Sequence, residues 1–201
     1  IYKISSKEIP SPLKQQKIST PNEKIVCVDK HMPIMDKSGT IACVSPKTAL
    51  ILQERGWVLN SENMPKIVLK NQNLAGLNFD GINLSEADFR NVDFRNVGMS
   101  KVDFSNSNLA YSDLSGKDLN GVTLNGALLR GANLDNANLE GVDLSYKDLT
   151  ESILTNLDLN EINLTGARLT NADFSGTSLA EVRLVGVDFT GADLNNKVFT
   201  A

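Results

Sequence analysis

The chain has almost none of the residues from which active sites are usually built: one histidine, one tryptophan and two cysteines in 201 residues. His31 stands alone and is expected as a surface side chain in a loop, because neither a metal cluster nor a catalytic relay forms from one imidazole. Two cysteines without a C-x-x-C spacing supply neither a four-ligand zinc site nor a redox pair. Nucleophile-elbow, Walker, dinucleotide-binding, H-E-x-x-H and calcium-loop patterns are missing. No apolar run approaches the ~20 residues that span a bilayer, so no transmembrane segment is expected. Aromatic residues are 5% of the chain, which leaves a core of small aliphatic side chains. Basic charge is also short, with 20 Lys and Arg against 24 Asp and Glu for a net of −4, so a nucleic-acid partner is not expected. These absences point to a non-enzyme with no cofactor, no metal and no catalytic residue.

Proline is missing from most of the chain. All six prolines lie in residues 1–65, with both cysteines, His31 and Trp57. Residues 1–65 are net +3 and residues 66–201 are net −7. The expected division is an extended segment at 1–23, a small module at 24–65 and a long repeat at 66–201.

The repeat emerges by stepping in fives. From Leu69 to Phe199, 27 consecutive centres are Leu, Phe or Met without one insertion. Two residues before each centre the side chain is small or aliphatic, except at Gln72, Lys117, Lys147 and Lys197. Asp or Asn usually precedes the centre, and Gly or Asn usually stands two residues after it, where positive φ lets a turn recur. A period of five fits neither a helix nor a strand, so each unit must form one side of a coil and then turn a corner.

Units such as Gly131-Ala132-Asn133-Leu134-Asp135 and Asn171-Ala172-Asp173-Phe174-Ser175 resemble the pentapeptide-repeat family, whose motif is A(D/N)LXX. The resemblance implies an all-β fold, a right-handed quadrilateral β-helix of about 6–7 coils capped by a small N-terminal hairpin and helix. Residues 20 apart then stack, and at ~4.8 Å per coil the rod is about 32 Å long. Leu109, Leu114, Leu119, Leu124, Leu129, Leu134, Leu139 and Leu144 are the expected mid-stack core ladder. The inward column Ile82, Val102, Val122, Val142, Ile162, Val182 is β-branched throughout, which predicts the most strand-like side. Local widening of the coil is expected around Lys117, Lys147 and Lys197.

In the N-terminal module, 24–29 and 40–44 are β-prone runs on either side of Pro33, Ser38 and Gly39, which suggests paired strands. Cys27 and Cys43 fall one in each run. A structural disulfide is the favoured reading, with two reduced, buried thiols as the alternative. Ser45 as N-cap, Pro46 at the first turn and Gly56 as a stop predict a helix of about ten residues, whose Ala49, Leu50 and Leu52, with Ile51 and Trp57, should cover the open lower end of the β-helix. The stretches 11–15 and 41–57 also resemble a short two-cysteine module of secreted and envelope proteins of ammonia-oxidising archaea. With the start at Ile1 rather than Met, that resemblance implies a processed protein of the cell envelope or extracellular space; the cytoplasm is the alternative.

The outward positions differ from side to side. One side carries Asp93, Asp113, Asp135, Asp173 and Asp193 against Arg95 alone. On the side before it, Arg90, Tyr111 and Arg130 should stack on successive coils with Leu128 facing out, a candidate patch for a protein partner. Asn83-Leu84-Ser85 and Asn163-Leu164-Thr165 are sequons four coils apart, so Asn83 and Asn163 are candidate glycosylation sites on one face. The last coil ends in apolar side chains, which suggests a head-to-head homodimer through residues 180–201. The function expected is a non-catalytic structural or protein-interaction module of the cell envelope that offers flat faces to a protein. The alternative, implied by the family resemblance, is a DNA mimic that binds a type II topoisomerase in the manner of gyrase-protection proteins.

Overall fold

The structure is a computed structural model that describes residues 32–35, 41–53, 58–59, 67–195, 197 and 199. From residue 67 onward the chain winds as a four-sided β-helix in which every centre from Leu69 to Leu179 is buried. Most corners are tight turns whose centre carbonyl accepts the N–H three residues on: Ile82 to Phe79 at 2.8 Å, Val122 to Leu119 at 3.0 Å. The third residue of such a type II turn needs positive φ. Of the 25 such places from Asn71 to Gly191, 24 have φ between 53° and 84°, at thirteen non-glycine residues and eleven glycines, and Asn96 is the exception.

The preference for Asp and Asn before each centre has a direct cause. The N–H of the residue after the centre has no partner on the neighbouring coil, and the Asp or Asn Oδ1 two residues back accepts it. Asn83 holds Ser85 at 2.9 Å, Asp103 holds Ser105 at 2.9 Å and Asn163 holds Thr165 at 3.1 Å. The other backbone groups bond along the rod. Leu109 N–H donates to Leu128 O and Leu128 N–H donates to Ser107 O, both at 2.9 Å, one rung of a parallel ladder of residues 20 apart. Each side thus contributes one bridged residue per coil rather than a multi-residue strand.

The four sides are centred on Leu69, Leu74, Phe79 and Leu84 and on the residues 20, 40 and more beyond each. All eight residues of the expected ladder, Leu109 to Leu144, are buried, with at most 5% exposure at Leu124. Five phenylalanines, Phe79, Phe89, Phe94, Phe104 and Phe174, are fully enclosed, and Phe89 meets Phe94 and Phe104 edge to face at 5.4 and 5.5 Å. The expectation that the β-branched fourth side is the most strand-like needs correction. Its rungs run Asn83–Asp103–Thr123 and Asp143–Asn163–Arg183, but the first side is bridged at least as fully, Val68–Asp88–Asn108–Leu128 and Asp148–Arg168–Asp188. Inward branching governs core filling, whereas rungs are made by backbone groups.

The ladder has a gap between Leu128 and Asp148 on the first side and between Thr123 and Asp143 on the fourth, and among the described residues the third side has the fewest rungs. Among the described residues no rung joins Gly98 to Asp118 or Asp158 to either neighbour. At the first break Lys117 Nζ donates to Val97 O at 2.7 Å, taking the carbonyl that the Asp118 N–H would otherwise meet. Lower down, the Thr177 hydroxyl enters the turn of the preceding coil, donating to Leu154 O at 2.6 Å and accepting the Leu157 N–H at 2.9 Å. Lys197 Nζ reaches Phe174 O at 2.5 Å and Thr177 O at 2.8 Å. Two of the three inward lysines therefore feed main-chain carbonyls.

The N-terminal module is a three-stranded antiparallel sheet with order β2-β1-β3, where β1 is Met32–Met35, β2 is Ile41–Val44 and β3 is Val58–Leu59. A strand at 32–35 corrects the reading of the stretch containing Pro33, Ser38 and Gly39 as a connection only, because its first part pairs with 41–44. Pro33 is opposite Cys43 in the β2 register, and β3 is paired with Ile34 and Met35. Residues 24–29, Cys27 and with it the cysteine pairing, His31 and Trp57 lie outside the described residues.

Helix α1 is Pro46–Gln53, and Ala49 N–H donates to Ser45 O at 2.8 Å. Ala49 is fully buried in the same core as Leu69, as a cap requires. Gln53 completes the seal: its Nε2 donates to Asn78 O at 3.1 Å and its Oε1 accepts Asn78 N–H at 3.4 Å, so one side-chain amide supplies the rung that a preceding coil would have made.

Candidate protein-interaction surface

Tyr111 occupies a corner between the first and second sides, with φ of 59°. Its ring lies over Gly131 on the next coil, and its hydroxyl donates to Glu151 Oε2 at 3.1 Å, two coils along. Arg130 joins both: Nε donates to the Tyr111 hydroxyl at 3.3 Å and Nη2 donates to Glu151 Oε1 at 2.5 Å. The hydroxyl of Tyr111 and the carboxylate of Glu151 raise the Arg130 pKa further. Leu128 projects from the first side in the same coil as Arg130 and is 51% exposed.

Arg90 does not join this group, which corrects the expected stack. It forms a two-pronged pair with Asp88 on its own coil, at 2.9 and 2.7 Å, because that carboxylate sits two residues before it and already accepts its N–H. The Arg90 hydrogen bond is the main cause that holds Asp88 below the usual carboxylate range, against a smaller opposing effect of burial. Three residues of the surface escape sequence reasoning. Glu151 is 40 residues from Tyr111, and Ile153, 38% exposed, replaces the Asp or Asn expected on the second side. Tyr146, 79% exposed, rests over Gly166 on the opposite edge of the first side, as Tyr111 rests over Gly131. The readable signal was a tyrosine at the turn position followed by glycine 20 residues later.

Charge separates the sides. On the first, Asp88, Glu151 and Asp148 are each paired with an arginine, the last with Arg168 at 3.4 Å. On the second, Arg95 serves both Asp93 at 2.7 Å and Asp113 at 3.3 Å, and among the described residues Asp135, Asp173 and Asp193 accept hydrogen bonds from neutral groups. Asp135 accepts from Thr155, Asn156 and Asn136, which lower its pKa in that order. Asp173 is lowered chiefly by Ser175.

A cleft of about 430 Å³ opens where the third side meets the fourth, lined by Asn138, Glu140, Asp143, Asp158, Glu161 and their neighbours. It marks the missing rungs around Asp158. Among the described residues no group of three or more His, Cys, Asp or Glu is arranged to hold a metal ion, and no helix is long and apolar enough to cross a membrane. Asn83 and Asn163 fall in one column of the fourth side; Asn83 is exposed and Asn163 half-buried, each tied to its own turn. At the C-terminal end Leu184, Phe189 and Leu194 are only partly covered, and Val185 and Phe199 are exposed.

The family model for pentapeptide repeats, in eight copies, matches in overlapping segments from residue 66 to residue 196. The chain belongs to the pentapeptide-repeat family. Solved structures similar to it include HetL, a pentapeptide-repeat protein involved in heterocyst differentiation regulation from the cyanobacterium Nostoc sp. strain PCC 7120, at 22% identity and a TM-score of 0.26. That match covers 67% of this chain but 64% of HetL, under two-thirds of its length. QnrB1, a plasmid-mediated fluoroquinolone resistance protein, is 20% identical over 66% of this chain and 81% of its own, with a TM-score of 0.32. AT2G44920, from the Arabidopsis thaliana thylakoid lumen, is 23% identical over 64% of this chain and 68% of its own, with a TM-score of 0.24. No curated protein matches the chain. Pentapeptide-repeat proteins are generally non-catalytic structural and interaction proteins.

Proposed function

We propose that this pentapeptide-repeat protein is a non-catalytic interaction rod whose first side docks a protein partner in the cell envelope or extracellular space. The observation that carries the reading is the meeting of Tyr111, Leu128 and Tyr146 on the side where Asp88, Asp148 and Glu151 already have arginine partners. A contact there desolvates aromatic and aliphatic surface without stranding a carboxylate, which is how interface hot spots are built. The placement outside the cytoplasm rests on the resemblance of residues 11–15 and 41–57 to a two-cysteine module of secreted and envelope proteins, and is tested by intact mass without reductant. A gain of about 2 Da on reduction supports it, and free thiols in the native protein discard it.

The docking side is tested by cross-linking the protein in native extract against a Tyr111→Ala, Leu128→Ala, Tyr146→Ala variant. An identical partner set for both would discard the reading. The DNA-mimic alternative draws on the carboxylates of the second side, and a gyrase supercoiling assay decides it: protection that survives the triple variant but not Asp113→Asn with Asp173→Asn would favour it.

A further inference from the structure

We propose that the rod is built of two cooperative units that part at the junction between the coil of residues 122–141 and the coil of residues 142–161. Among the described residues, the main-chain hydrogen bonds that cross this junction are Gly131 N–H to Thr150 O and Leu134 N–H to Ile153 O at 2.8 Å, Ile153 N–H to Ala132 O at 3.0 Å and Asn136 N–H to Thr155 O at 3.1 Å. All lie on the second side or at its two corners. The rungs Thr123–Asp143, Leu128–Asp148 and Asn138–Asp158 are missing, so no rung joins the fourth, first or third side here. The preceding junction is bonded on all four sides, Phe104 to Thr123, Leu109 to Leu128, Leu114 to Asn133 and Leu119 to Asn138. The following junction keeps Asp143–Asn163, Asp148–Arg168 and Ile153–Asp173, and on its third side the Thr177 hydroxyl bonds across to Leu154 O and the Leu157 N–H.

Side chains repeat the pattern. Arg130 to Glu151 at 2.5 Å, Tyr111 to the same carboxylate at 3.1 Å, and Thr155 and Asn156 to Asp135 strap the junction together, all beside the second side. Where the third side meets the fourth, the cleft sets Glu140 and Asp143 against Asp158 and Glu161, like charges on successive coils. The inward column of the fourth side is least covered at the junction, with exposures of 0% at Val102, 8% at Val122, 6% at Val142 and 3% at Ile162. In a stacked array stability is a sum over coils and their contacts with neighbours, so the chain opens first at its weakest junction. The N-terminal unit holds Phe79, Phe89, Phe94 and Phe104 fully enclosed and is capped by α1, whereas Leu184, Phe189 and Leu194 of the C-terminal unit are only partly covered. The coils from 142 onward therefore open together while those up to 141 stay folded. Leu128 and Tyr146 belong to different units, so opening takes the first side apart; the division into two units stands whether or not that side docks a protein.

The test is hydrogen exchange of the full chain, read by mass spectrometry of its peptides, in urea below the unfolding transition. Amides bonded within the C-terminal unit, Leu149 to Arg168 O, Leu154 to Asp173 O and Asn171 to Thr190 O, are expected to share one urea-dependent opening. Those of Phe89, Phe94, Phe104 and Leu109 are expected to exchange at least about tenfold more slowly. Glu151→Gln, which weakens the strap to Arg130, is expected to speed exchange from residue 142 onward and to leave residues 67–121 unchanged. Glu140→Gln with Asp158→Asn, at exposed positions that do not enter the core, is expected to slow the same exchange by relieving the repulsion in the cleft. A single opening shared by all coils, a boundary at the gap between Gly98 and Asp118, or faster exchange in the N-terminal unit would each overturn the proposal. The wild-type urea series alone decides among these outcomes.

Discussion

The ring of Tyr111 lies across the backbone of Gly131, where a β-carbon would come within 2.3 Å of both Cδ1 and Cε1 of the tyrosine. This contact links a sequence choice on one coil to a side-chain position on the next, and the Glu151 carboxylate anchors the far end. Glycine at 131 meets two demands, a φ of 65° and room for the ring.

Those demands can be separated. Gly81 has φ of 70° and nothing within 4 Å of the place a β-carbon would take, so Gly81→Ala carries only the strain of a left-handed alanine, about 1–2 kcal/mol. Gly131→Ala carries that strain and must also expel the tyrosine. It is expected to lower the thermal midpoint more than Gly81→Ala, where each kcal/mol corresponds to roughly 2–4 °C in a chain of this size. In a Tyr111→Ala background the two glycine substitutions should become equal. Equal effects in the wild-type background would show that the ring moves freely.

The interior offers a second measurement. Leu134 and Leu139 are 0% and 1% exposed, mid-stack, with coils on both sides. Truncation of either to alanine is expected to cost about 2–5 kcal/mol in urea unfolding, the sum of lost transfer energy and a cavity that neighbouring coils cannot close. Leu128→Ala, outward on the first side, should change stability by less than about 0.5 kcal/mol. A similar loss at Leu128 and Leu134 would contradict the assignment of inward and outward columns.

The five-residue step made the coil, its core and its corners legible, because all three depend on residues within one unit. Leu134 and Asn133 announce their places by type alone, one apolar and buried, the other turned outward to hold a backbone N–H. The surface was legible in part. Leu128 and Tyr111 stood out as the wrong types for their columns, but the partner of Tyr111 depends on a side chain crossing a whole coil. The ladder breaks on the third side were hidden for a similar reason. Thr177 fits the small-residue column, and only its hydroxyl's choice of Leu154 O and the Leu157 N–H shows that it opens a turn. In the N-terminal module Pro33 argues against a strand, yet 32–35 pairs with both 41–44 and 58–59, and local residue type does not announce that pairing.

Acid should unfold the rod by a route that can be traced to single carboxylates. Asp88 is held below its unfolded pKa by the Arg90 hydrogen bond, so its stabilising effect is complete above about pH 4 and is lost as pH falls through the lower, folded value. Asp93, lowered chiefly by Arg95, behaves in the same direction. Asp88→Asn keeps an acceptor for the Arg90 N–H but loses the ion pair. It is expected to cost less than about 1 kcal/mol at pH 6, because the guanidinium is well solvated, and to flatten the decline in urea stability between about pH 5 and 2. A decline as steep as in the wild type would place the acid sensitivity elsewhere.

The inward lysines allow a comparison in which one residue type has opposite effects. Lys117 donates to Val97 O, and its replacement by methionine removes that donor and frees the carbonyl for the Asp118 N–H; the expected loss is about 1 kcal/mol, the lost hydrogen bond less what the regained rung returns. Lys147 occupies the same kind of position on the first side, and burial lowers its pKa while the nearby charge of Asp143 only partly opposes the shift. For a cationic group the sign is that folding is penalised at neutral pH and the penalty fades as pH rises past the folded value toward about 10.4. Lys147→Met should therefore raise stability at pH 7, by up to about 1 kcal/mol, and its advantage should shrink at alkaline pH. Thermal unfolding of both variants at pH 7 and near pH 10 checks the pair. Destabilisation by both would mean that Lys147 also holds a main-chain carbonyl and that the inward lysines are one structural device.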